Sequence, residues 1–109
     1  MKKNPIAPLL EELDELPFPD REIFNANELV HESSGRLPIL ASRGCPYNCT
    51  YCSNNSLRMI ASGGYVRSRN PQNIVREIDY VHKLYPWQKT IHLEIESIAL
   101  NKKFLCFKT

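Results

Sequence analysis

Long apolar runs are missing from this sequence: nowhere do 18 apolar residues follow one another, which excludes a membrane-spanning helix. Charge of one sign is scarce too. Lys and Arg number 14 against 12 Asp and Glu, and a formal charge of +2 is too small to indicate a nucleic-acid partner. Internal repeats and low-complexity tracts are absent. The opening "MKKNPIAPLLEELDEL" has two lysines but meets prolines and acids before any apolar segment develops, so it does not read as a secretory signal, and a cytoplasmic location is expected. At 109 residues the chain is one small domain at most, with a modest core.

The small net charge hides an uneven distribution. Residues 1–32 hold eight acids and three bases, whereas residues 33–109 hold four acids and eleven bases, so the second part suits an anionic ligand.

Cysteine is also sparse, and its placing is informative. Of four cysteines, Cys45, Cys49 and Cys52 fall within "RGCPYNCTYC", spaced C-x3-C-x2-C. With no route to an oxidising compartment, metal binding or catalysis is a better reading than disulfides. A second close pair is lacking: Cys106, His31, His82 and His92 are the remaining candidates. A structural zinc ion normally needs four ligands, so a Cys3His site would have to recruit a distant histidine. A cluster of four irons held by three thiolates instead leaves one iron open. Spacing and context favour the cluster over zinc or structural cysteines.

Along the chain, "PLLEELDEL" predicts a short helix from Pro8 to Leu16, with Leu9, Leu13 and Leu16 on one side. Residues 1–36 read as a lead-in or linker. "LPILAS", residues 37–42, predicts a buried strand, and the cysteine loop leaves its C-terminal end. The Ser-, Asn- and Gly-rich stretch that follows reads as loop. Asn70 and Pro71 then cap and open a helix carrying Ile74, Ile78, Val81 and Tyr85, which Pro86 ends. "KTIHLEIES", residues 89–97, alternates as a second strand. Strand, cysteine loop, helix and strand make a βαβ unit with a parallel sheet. Alternation sets Ile91, Leu93 and Ile95 against His92, Glu94 and Glu96, and buried acids on the second face would need partners. Arg67 and Arg69 in "YVRSRN" read as solvated strand residues, and Cys106 as a free thiol.

The motif "RGCPYNCTYC", with Tyr51 just before the last cysteine, resembles the signature of the radical S-adenosylmethionine superfamily. The stretches "LPFPDREIF", "GRLPILASRGCPYNCTYCSN", "YVRSRNPQNIVREIDYV" and "IHLEIESIALNKKF" are similar to the subgroup that usually carries a cobalamin-binding domain upstream. The resemblance spans about residues 16–105.

It implies a 4Fe-4S cluster on Cys45, Cys49 and Cys52, S-adenosylmethionine on the open iron, and reductive cleavage to a 5′-deoxyadenosyl radical. Tyr51 would lie against the adenine. Glu96, or Glu94 two residues earlier, would bind the ammonium of S-adenosylmethionine, in "EIES" where related sequences often have two adjacent acids. It also implies a small-molecule substrate, an electron donor such as flavodoxin or ferredoxin, and cobalamin only through an upstream domain. The implied fold is α/β, an incomplete (β/α) partial TIM-like barrel. A complete barrel takes on the order of 200 residues, so residues 37–109 are expected to be a truncated N-terminal part, the first βαβ unit only. The readings set against this enzyme segment are a non-enzymatic Cys3His zinc module and an inactive remnant.

Overall fold

The computed structural model describes residues 4–23 and 36–97. Its elements are β1 (Arg36–Leu40), β2 (Ser42–Arg43), α1 (Ser53–Ile60), β3 (Arg67–Ser68), α2 (Pro71–Leu84) and β4 (Thr90–Glu94), preceded by one 3-10 turn at Leu13–Glu15. β1 and β4 pair in parallel, with Leu37 opposite Ile91 and Ile39 opposite Leu93. β2 and β3 form a short antiparallel bridge, Ser42 opposite Ser68 and Arg43 opposite Arg67. The architecture is therefore mixed α/β with a parallel pair, as the strand-helix-strand pattern predicts.

The hydrophobic pattern explains why α2 sits where it does. Asn70 caps the helix by accepting the backbone N–H of Gln72 at 3.0 Å, and Pro71 occupies a first-turn position where its missing N–H costs nothing. Ile74, Val81 and Tyr85 bury one stripe against Leu37, Ile39 and Ala41, with Ile91, Leu93 and Ile95 packed at the border. The opposite face of β4 carries His92, Glu94 and Glu96, all exposed. Sequence alternation assigned these faces correctly. Burial of the acids is not seen.

A helix from Pro8 to Leu16 is not formed; Leu13–Glu15 is a single 3-10 turn. An isolated segment that short is marginal as a helix, and its backbone bonds elsewhere: Leu9 N–H donates to Ser62 O at 3.1 Å and Leu10 O accepts from Arg67 Nη1 at 2.8 Å. Leu13 is nonetheless buried, and the Asp14 carboxylate accepts the backbone N–H of Asn70 at 2.8 Å.

Arg69 is the largest departure from the solvated reading. It is buried, donates to Glu77 and Asn73, and reaches Leu40 O at 2.8 Å. Arg21 donates to the other Glu77 oxygen at 3.1 Å and to Pro38 O at 2.9 Å. Glu77 is thus clasped by two guanidiniums that also bind successive outward carbonyls of β1. Because N and O of one strand residue point to the same side, the missing N–H of Pro38 faces that edge as well. The edge of β1 away from β4 is closed by side chains instead of by a strand. Phe18 completes the cover, its ring centroid 5.8 Å from the Arg69 guanidinium and 5.9 Å from the Tyr80 ring.

Candidate functional site

The cysteine loop leaves β2, which continues β1 after Ala41, so it emerges at the C-terminal end of the parallel pair. Ala41 N–H donates to Glu94 O at 2.9 Å, fixing the point of departure against β4. Gly44 makes the first turn with φ +83, and a Cβ there would lie 2.1 Å from the carbonyl oxygen of Tyr65. Only glycine allows the loop to pass that close to the backbone of residue 65. Gly44→Ala is accordingly expected to cost at least about 1–2 kcal/mol from the left-handed backbone alone, with the steric clash adding to it. A thermal midpoint equal to that of the unsubstituted chain would contradict this.

Cys45 and Cys52 are half-buried, Cys49 is exposed, and all three are free thiols. Cys52 N–H donates to Cys49 O at 3.1 Å, which turns the loop into α1. Cys52 itself stands at the N-cap of that helix, so its sulfur lies at the end where the helix dipole favours negative charge. Helix α1 lies in the stretch read from the sequence as loop. Its first residues, Ser53, Asn54, Asn55 and Ser56, are weak helix formers, and the helix is held by tertiary contacts: Arg58 Nη1 donates to Pro46 O at 2.9 Å, tying the helix back onto the cysteine loop.

Tyr51 is exposed, and its hydroxyl hydrogen-bonds to Cys49. That bond raises the phenol above its ordinary value of 10.0. Glu96 lies two residues beyond the end of β4, and Glu94 is the last residue of the strand. His92 Nδ1 is 3.8 Å from a Glu94 oxygen.

One residue joins these parts. Asn54 Nδ2 donates to Cys52 Sγ at 3.6 Å and to Glu96 Oε2 at 3.4 Å, while its Oδ1 accepts the Tyr65 hydroxyl at 2.7 Å. Asn54 and Tyr65 were invisible in the sequence reading; the one local signal is that Asn54 follows the last cysteine by two residues. A cleft of about 280 Å³ is lined by Leu13, Pro17, Leu40, Arg43, Arg69 and Glu94 among others; it reaches Glu94, and no cysteine lines it.

The donor set can be tested against the two metal readings. A zinc ion needs its ligands on one point, and among the described residues no three His, Cys, Asp or Glu side chains converge in that way. An iron-sulfur cluster takes each thiolate on a different iron; the three free thiols lie on one loop, and the Asn54 amide donates to the Cys52 sulfur. His31 and Cys106 lie outside the described residues.

The family model of the Radical SAM superfamily matches residues 39–103, more than half of the chain. The chain belongs to that superfamily. It is 25% identical over 103 residues to an uncharacterized methyltransferase of Pyrococcus horikoshii, covering 94% of this chain and 21% of the relative. It is 29% identical over 67 residues to an uncharacterized methyltransferase of Synechocystis, covering 62% of this chain and 12% of the relative. The chain therefore spans only a small part of the length of these relatives. No solved structure matches it. No helix among the described residues is long and apolar enough to cross a membrane.

Proposed function

We propose that this chain is the cluster-holding segment of a radical S-adenosylmethionine enzyme, with Cys45, Cys49 and Cys52 as the ligands of a 4Fe-4S cluster. The observation that carries the reading is that three free thiols sit on one loop at the C-terminal end of a parallel pair, where barrel folds assemble their sites, and that Asn54 bridges this loop to Glu96. Held by Cys45, Cys49 and Cys52, a reduced cluster would supply the one electron needed for reductive cleavage of the sulfonium C–S bond of S-adenosylmethionine.

This chain's residues then have distinct tasks. Tyr51, exposed beside the loop, offers a flat face for the adenine. Glu96 holds the ammonium group, being nearer the cysteine loop than Glu94: successive strand residues rise by roughly 3.3 Å, which sets Glu94 deeper on the same face. For the whole protein we take a partial barrel, a small-molecule substrate, a cytoplasmic setting and a flavodoxin- or ferredoxin-like electron donor. The name methyltransferase carried by the two relatives makes methyl transfer the reaction to test first. Cobalamin would enter only through a domain upstream.

The test is anaerobic titration calorimetry with S-adenosylmethionine. Iron-loaded chain should bind it and the Cys52→Ala variant should not; absence of binding by loaded protein contradicts the proposal. In a version extended to a complete barrel, Glu96→Gln should weaken binding by roughly ten- to a hundredfold, the worth of one charge-assisted hydrogen bond, at unchanged iron content. A large loss in Glu94→Gln with none in Glu96→Gln would move the role to Glu94.

A further inference from the structure

We infer that Asn54 is a positioning residue that couples the third cysteine to the glutamate beyond β4, setting both the electron affinity of the centre and the place of the ammonium-binding carboxylate. The inference rests on the reading of Cys52 as a cluster ligand. Its observations are independent of the cysteine spacing. Both amide protons of Asn54 are used, one on Cys52 Sγ and one on Glu96 Oε2, and its oxygen accepts the Tyr65 hydroxyl. Tyr65 is itself fixed, since its carbonyl abuts Gly44 and accepts from Arg67 Nε at 3.4 Å. Asn54 cannot turn away from the sulfur without giving up three partners at once.

The chemical consequence follows from the direction of the hydrogen bond. An N–H donated to a ligand sulfur draws electron density from it and favours the more negative, reduced state, which raises the reduction potential. The second proton holds Glu96 toward the loop, so that one side chain links a ligand of the proposed cluster to the proposed cofactor-binding carboxylate. A leucine at the same position would fill similar space and do neither.

The experiment uses the reconstituted chain, with iron content and a spectroscopically followed redox titration measured on the same samples. Asn54→Leu removes the donor without adding charge; Asn54→Asp removes it while keeping an acceptor for Tyr65. Both should retain the iron of the unsubstituted chain and shift the reduction equilibrium toward the oxidised state, about tenfold for Asn54→Leu, or about 59 mV for one electron. Asn54→Leu with full iron and an unchanged potential would overturn the inference. Loss of iron from both variants would overturn it too, since the residue would then serve the fold of the loop. Failure of the unsubstituted chain to take up iron is a different result, read from the iron analysis alone, and removes the functional proposal together with this one.

Discussion

Cys45→Ala, Cys49→Ala and Cys52→Ala should each abolish iron uptake by the reconstituted chain, while Cys106→Ala should leave it unchanged. The expectation follows from the loop. Its three thiols lie within eight positions, Cys52 N–H to Cys49 O closes the turn between the last two, and Arg58 to Pro46 O holds the segment between the first two against α1. Three ligands leave no spare, so removing any one would leave an iron without its thiolate. Retention of the brown chromophore and full iron in any of the three variants would contradict the assignment, as would its loss in Cys106→Ala.

Glu77→Ala should destabilise the fold by about 3–5 kcal/mol, the usual cost of removing one partner from a buried ion pair. The Glu77 side chain is 1% exposed and faces two guanidiniums, those of Arg69 at 8% and Arg21 at 16% exposure. Deleting the carboxylate leaves two cations against the edge of β1 with backbone carbonyls, Asn73 and, 4.0 Å from Arg69, the half-buried Asp14 as partners. In a chain of this size about 1 kcal/mol moves the thermal midpoint by roughly 4–8 °C, so a loss above about 10 °C is expected, or failure to fold. Glu77→Gln keeps the shape and removes the charge, and should lose most of the same stability. Midpoints within a degree or two of the unsubstituted chain in both variants would show that the triad contributes nothing net.

What could be read in the sequence were features whose cause is local. Asn70-Pro71 and Pro86 bracket α2 because capping and chain breaking act over a few residues, and the alternation in residues 91–95 fixes faces because strand neighbours point oppositely. The cysteine motif was legible because its three residues lie within eight positions of one another. What could not be read depends on partners far along the chain. Arg69 is a solvated residue by type, and it becomes a buried one through Asp14, Glu77 and the β1 carbonyls. The first turn of α1 is Ser and Asn, and only contact with the cysteine loop and Tyr65 makes it helical. Residues 8–16 failed as a helix for the converse reason: their pattern is helical, but a short segment whose backbone groups bond to Ser62 and Arg67 has no need of helical partners.

The central claim is that three thiols on one loop hold four irons and leave one open. The most direct measurement is the iron, acid-labile sulfide and zinc content of the chain after anaerobic reconstitution, normalised to protein. The account predicts close to four irons and four sulfides per chain with negligible zinc, in a chromophore that air destroys. One zinc per chain with no sulfide, or no metal at all, would contradict it.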